Sequence, residues 1–307
     1  MRPWRAAHEV EFGQAGERVY MLQRCVACGS ASLADASAPG APGMYETGLY
    51  GTRDGWRERA LEPLRGLVDR DRLRLLGPLA PGRRVIEIGT GRGRLVAALR
   101  SRGHDAVGVE PSKASSGEAQ SRGLPVSPVS LAEASFPDGE ADLVVMWHVL
   151  EHLDRPAEAL DRAKGWLRPG GEVVIAVPNL ASVQARIGGD RWFHQDVPRH
   201  RTQFTRNGLE ALVRRCGFAP TQVRQTMLDQ AQLGMWLTLL NRVTHGRDVP
   251  LRYLKRDLRY TRRADAARDA VATLAIGIPL MPVAAVLELG SGLAGRGGAV
   301  VLRARLA

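Results

Sequence analysis

A doubly wound α/β fold, with a seven-stranded, mostly parallel sheet and a helical insertion before its last strand, is what this 307-residue chain predicts. Three observations carry the expectation. From Arg83 onward, short β-branched runs alternate with helical patterns. One such run, at 85–88, passes straight into glycines at alternate positions, Gly89, Gly91 and Gly93, and then into a helical pattern. Apolar residues at 44% and charged residues at 24% suit a folded chain of one large domain or two average ones, with no need of disulfides.

The elements follow in order. Leu61, Leu64, Leu67 and Val68 sit at helical spacing and predict a helix over 55–76, which Pro81 and Gly82 punctuate. Strands are expected at 85–88, 106–110, 125–129, 142–147, 172–177, 221–226 and 299–305. Leu95, Val96 and Leu99 share one helix face, and Gly103 can adopt the left-handed stop. Pro156 suits a first helical position, Leu160, Ala163 and Leu167 line a face, and Pro169, Gly170 and Gly171 stop that helix before the next strand. Thr205 is the cap expected for a helix carrying Leu209, Leu212, Val213 and a buried Cys216, which Gly217 ends. Roughly seventy residues then precede the last strand, too many for an ordinary connection, and their leucine-rich pattern is helical. The resulting segments are an N-terminal stretch with one Cys pair (1–54), a core (55–230), a basic and apolar helical insertion (231–296) and the final strand (297–307).

Chemistry concentrates after the first of these seven strands. Glycines permit a tight turn and a close backbone approach, and the helix that follows offers free N–H groups. Glu110 ends the next strand, 21 residues after Gly89, where a carboxylate can accept hydrogen bonds from ribose hydroxyls. Two nucleoside cofactors compete for this pattern. A dinucleotide wants a third glycine one residue later, and the anion of Glu87 would face its pyrophosphate. A carboxylate suits an ammonium instead, which favours S-adenosylmethionine. A structural turn that binds nothing is the plain alternative.

The run at 85–95 resembles motif I of class I S-adenosylmethionine-dependent methyltransferases, and Val107 to Ser112 resembles their acidic second motif. Further matches follow in order: 136–142, then His148, Val149, Leu150, Glu151 and His152, then Leu167, Arg168, Pro169, Gly170 and Gly171. Asp196, Val197, Pro198, Arg199 and His200, with Phe204 and Thr205, resemble a block of a bacterial branch acting on small molecules and envelope components. The resemblance covers about 70–230 and the last strand. It implies that the last strand runs antiparallel, that Glu87, Gly89, Gly91 and Gly93 hold the methionine end, and that Glu110 holds the ribose. Thr90, Pro111 and Trp147 complete the cofactor set, with Ser130 standing where many relatives place an aspartate for the adenine amino group. His152 or His200 is the expected general base, with His148 and Glu151 beside the first.

Plainer readings stand next to these. Glu151 and His152 could be a structural pair, and the spacing of His148, Glu151 and His152 would converge on a divalent metal only on a helix. His194, Asp196, Arg199 and His200 form either a substrate wall or a solvated loop. Cys25 and Cys28 look like one knuckle of a zinc ribbon without its second pair, and no metal is assigned; a redox pair or a metal-free turn are the other readings.

The net charge of +11 includes only three lysines, Lys113, Lys164 and Lys255, so bulk charge does not argue for nucleic acid. Within 242–268 nine basic residues face three aspartates, and the uncharged 270–287 follows, interrupted by Gly277, Pro279 and Pro282, which argues against a simple membrane span. A cationic helix beside an apolar, proline-broken one suits an anionic membrane surface; a solvated arginine face with a buried helical hairpin is the competing view. With no apolar signal region visible, a cytoplasmic protein, peripheral at the inner membrane face, is expected. The implied activity is methyl transfer to a small-molecule or lipid-linked acceptor. An NAD-dependent oxidoreductase, a nucleic-acid methyltransferase and a non-catalytic binding protein are the rivals. The glycine spacing opposes the first, and Trp147, His148 and Val149 replace the signature of an amino-group methylase of nucleic acids.

Overall fold

The N-terminal segment builds a small antiparallel sheet for which its sequence carried no strand expectation. In the computed structural model, which describes residues 1–8, 19–35, 55–254 and 263–307, β1 (Arg2–His8), β2 (Val19–Arg24) and β3 (Ala31–Leu33) pair antiparallel. Ala7, Leu22 and Leu33 are buried beneath it with Val197. The chain continues through α1 (Gly55–Leu76), β4 (Arg84–Ile88), α2 (Arg94–Arg100), β5 (Asp105–Val109), α3 (Lys113–Ser121), β6 (Val126–Ser127) and β7 (Ala141–Trp147). Next come α4 (Pro156–Trp166), β8 (Leu167–Pro178), α5 (Val183–Gly188), β9 (Thr202–Gln203), α6 (Arg206–Arg215) and β10 (Phe218–Arg224). The insertion holds α7 (Gln230–Leu240), α8 (Val249–Leu254), α9 (Arg263–Ala272) and α10 (Ile278–Leu293), and β11 (Ala299–Leu306) closes the chain. β9 adds to the small sheet beside β3.

Two units result, one carrying the N-terminal sheet with α5 and α7 to α10, the other α1 to α4 with the seven-stranded sheet. That sheet has the order β10-β11-β8-β7-β4-β5-β6. The pairs β4·β5, β4·β7, β5·β6 and β7·β8 are parallel, whereas β11 runs antiparallel to β10. From β4 the chain builds outward through β5 and β6 on one side, then returns to β7 and β8 on the other. The crevice at the carboxyl ends of β4 and β7 is therefore the switch point where such sheets bind ligands. Val85, Ile86, Glu87 and Ile88 are all buried, as a strand covered on both faces requires.

Local chemistry explains most boundaries. Gly103 and Gly217 take positive φ, 78° and 87°, and end α2 and α6. Pro156 opens α4. Thr205 Oγ1 accepts from the Gly208 N–H at 3.0 Å, the expected cap, and donates to the Cys28 carbonyl at 2.7 Å. Cys216 is buried, which pushes its thiol pKa up.

α1 has the expected bounds, Gly55–Leu76, with Leu64 and Leu67 exposed and Leu75 and Leu76 buried; the side chain of Leu61 lies outside the described residues. Two expectations need correction. α4 stops at Trp166, because Leu167 already pairs with Ala141 and belongs to β8. The apolar helix of the insertion is not broken: Asp265–Leu293 is continuous over 29 residues. Pro279 follows closely on a π-type turn at Thr273–Gly277, whose wider backbone precedes both Pro279 and Pro282. The Trp236 indole N–H donates to the Gly277 carbonyl at 2.7 Å, satisfying one acceptor of this altered stretch. Of the nine basic residues in 242–268, Lys255, Arg256, Arg259 and Arg262 lie outside the described residues.

Thr205→Val should lower the unfolding free energy by about 1–2 kcal/mol, because it removes a cap and leaves the Cys28 carbonyl without this donor. Urea denaturation reads this directly, and an unchanged midpoint would show the cap to be dispensable.

Candidate active site

The loop between β4 and α2 is a run of backbone conformations that only glycine adopts without strain. Gly89, Gly91 and Gly93 have φ of 71°, 53° and 72°. A Cβ on Gly89 would also collide with Val149 Cγ2, and one on Gly93 would come within 2.7 Å of Leu124 Cδ1. Thr90 is buried, and its hydroxyl donates to the Gly91 carbonyl at 3.3 Å.

Two carboxylates flank this loop in different electrostatic states. Glu110 bridges two backbones: one oxygen accepts from the Gly91 N–H at 2.8 Å, the other from the Ser112 N–H at 2.9 Å. Ser112 in turn caps α3 through its side chain, which accepts from the Ser115 N–H. Pro111, between them, is exposed. Glu87 has no such support. It is 3% exposed, its Oε2 has no hydrogen-bond partner, and burial pushes its pKa up to about 8. The Arg72 guanidinium and the Val96 N–H pull it down by less than burial raises it, and the charge of Glu110 adds to the rise. Arg72 also lies over the Trp147 ring, 5.6 Å from its centroid, and Trp147 is buried.

At the end of β7, His148 has φ of 54°, an uncommon conformation for a non-glycine residue, while its N–H still donates to Ala176 at 2.9 Å. Its Nδ1 lies 3.2 Å from Glu151 Oε1. Glu151 is therefore a partner of His148, and one of its carboxylate oxygens also lies within 4.8 Å of a ring nitrogen of His152. Leu150–His152 is a 3₁₀ turn and His148 is left-handed, so the metal reading that required one helix face lacks its helix. Ser130 commits its hydroxyl to Glu133 at 2.7 Å, the first cause of that carboxyl's lowered pKa.

The remaining candidates belong to the other unit. His200 is buried, and its Nδ1 lies 2.7 Å from the His194 carbonyl, which makes Nδ1 the donor and Nε2 the lone-pair nitrogen of the neutral ring. Asp196 and Arg199 form an ion pair at 2.5 Å. Cys25 and Cys28 are free thiols, and N–H groups of Cys28 and Ala27 hold the Cys25 thiol below its usual range.

The structure thus brings Glu87, the glycine loop, Glu110 and Trp147 into one crevice. Sequence reasoning missed Arg72 and Val149. The charged face of α1, with Glu62 and Asp69 both paired to Arg94 at the start of α2, was the signal available for the former.

Residues 56–223 match the family described as a methyltransferase domain. A ubiquinone biosynthesis O-methyltransferase of Methylococcus capsulatus is 30% identical over 127 residues, 38% of this chain and 54% of that protein. One from Roseobacter denitrificans is 27% identical over 193 residues, covering 56% and 72%. The chain spans about half the length of the first curated relatives it matches, 54%, 45% and 42%. Among solved structures, an S-adenosylmethionine-dependent methyltransferase from Archaeoglobus fulgidus superposes with a TM-score of 0.51 at 16% identity, over 87% of this chain and 100% of that one, a likeness of fold.

The raised pKa of Glu87 has a consequence for stability. The folded protein holds this proton to about pH 8, against an ordinary value of 4.5, so stability present at low pH is lost as pH climbs through that window. Ligand-free Glu87→Gln should therefore melt higher than the parent at about pH 8, with the gap closing toward about pH 5. A gap of the same size at both ends would show that Glu87 is not the group responsible.

Proposed function

The chain belongs to the methyltransferase domain family, and from that premise we propose that it transfers a methyl group from S-adenosylmethionine to a small-molecule or lipid-linked acceptor, on the cytoplasmic side at the inner membrane face. The carrying observation is the buried, unpartnered Oε2 of Glu87 beside a turn of three positive-φ glycines, two of which, Gly89 and Gly93, leave no room for a Cβ. A lone carboxyl there gains from a cationic ligand and loses from a pyrophosphate, which supports the sulfonium cofactor over a dinucleotide.

Bound S-adenosylmethionine supplies an activated methyl on sulfonium sulfur. Glu87 receives the ammonium of the methionine end, and the backbone of Gly89, Gly91 and Gly93 lies against that end. Glu110 takes the ribose hydroxyls with lone pairs left over from its two backbone bonds. The hydroxyl of Ser130 donates to Glu133, which leaves its oxygen able to accept from the adenine amino group beside a neighbouring backbone group.

His200 is the favoured general base, since the His194 carbonyl fixes the tautomer whose Nε2 can accept a proton. His152 is the second candidate. The O-methyltransferase activity named for the relatives supports an acceptor hydroxyl.

Calorimetry should show binding of S-adenosylhomocysteine and none of NAD; the reverse pattern would remove this reading. Gly89→Val should abolish that binding. His200→Ala should keep it and slow turnover by about 10²- to 10⁴-fold, the usual range for a lost base.

A further inference from the structure

The continuous helix Asp265–Leu293 has the composition of a core helix and the exposure of a surface one: only 11% of its most apolar stretch is buried. At 1.5 Å per residue its 29 residues extend about 43 Å. Gly277, Ala284, Glu288 and Ser291 are buried and recur on one narrow stripe. Outside that stripe Val271, Leu274, Ile278, Met281, Val286 and Leu293 are exposed at 65%, 65%, 55%, 51%, 71% and 76%.

Of the three acids on the helix, Asp265 is half-buried in the first turn and the other two are buried. Glu288 faces inward, accepting from the Gln184 amide at 2.8 Å and the Gly298 N–H at 2.7 Å. Asp269 is buried too, accepting from the N–H groups of His245 and Gly246 at 2.8 Å each. Exposed basic side chains bracket the apolar stretch, Arg268 before it and Arg296 after it.

We infer that this helix lies in the plane of an anionic bilayer, its exposed side sunk among the acyl chains and Arg268 and Arg296 set at the headgroups. Two features select lipid over a second copy of the chain. A helix partner covers a narrow seam, whereas exposed apolar residues here occupy every direction outside the buried stripe. The exposed basic ends, beside which only Asp265 is an acid not buried and that one is half-buried, complement an anionic headgroup layer rather than a like-charged copy of this surface. The proposal deepens the reading of a lipid-linked acceptor, whose delivery such a contact would serve, but the contact stands without the methyl-transfer chemistry.

Flotation of the full chain with vesicles tests it. The protein should float with vesicles of phosphatidylcholine and phosphatidylglycerol and much less with phosphatidylcholine alone. The double variant Ile278→Glu, Val286→Glu, at exposed positions, should lose at least about tenfold in bound fraction while still binding S-adenosylhomocysteine, which separates this test from that of the donor site. The pair Arg268→Glu, Arg296→Glu should lose the preference for anionic vesicles and nothing else. A parent protein that stays unbound to both vesicle types, or a double variant that floats equally well, would overturn the proposal. Non-floating parent protein that sediments as a dimer, made monomeric by the double variant, would assign the surface to a second copy.

Discussion

A carboxyl group buried near the end of a central strand, with one oxygen lacking a hydrogen-bond partner and the charge of Arg72 only partly offsetting its burial, is the constraint on which the rest of this site turns. An isolated buried charge costs several kcal/mol, and Glu87 responds by holding its proton to about pH 8. Arg72 and the Val96 N–H offset part of that cost. A fully structural acid would be expected to have both oxygens satisfied, as Glu110 does nearby. The unpartnered Oε2 of Glu87 is thus a stored preference for a positively charged ligand, placed where the sheet topology opens.

That placement follows from strand order. β4 lies between β5 and β7, so the loops leaving β4 and β7 diverge, and their carboxyl ends leave a gap. The gap is shaped from both sides: Val149 sits where a Gly89 Cβ would be, and Glu110 ties the glycine loop to the start of α3 through one carboxylate. His148 holds a left-handed backbone at the same edge, a strain of order 1–2 kcal/mol that its Glu151 contact and its bond to Ala176 help to sustain.

Much of this was legible in the chain because it is local. Strands covered on both faces read as short apolar runs, glycines with positive φ announce a turn, and Thr205 and Pro156 mark helix starts by their own chemistry. What escaped was non-local. β9 joins the N-terminal sheet through β3, some 170 residues away, and no periodicity in two- and three-residue strands reveals that pairing. The unbroken helix through Pro279 and Pro282 depends on a π-type turn and on Trp236 from another helix. Arg72 acts on Glu87 from α1, and the contact of His148 with Glu151 rests on a left-handed His148 that cannot be read from its neighbours.

The pairing of Glu87 with an ammonium is tested most directly by counting protons. Titrating S-adenosylhomocysteine at pH 7 in buffers of different ionisation enthalpy should reveal release of close to one proton per molecule bound, since the ligand's cation converts the buried acid to its anion. Glu87→Gln, where it still binds at high ligand concentration, should release none. Binding heat in the parent protein that does not vary with the buffer would contradict the pairing.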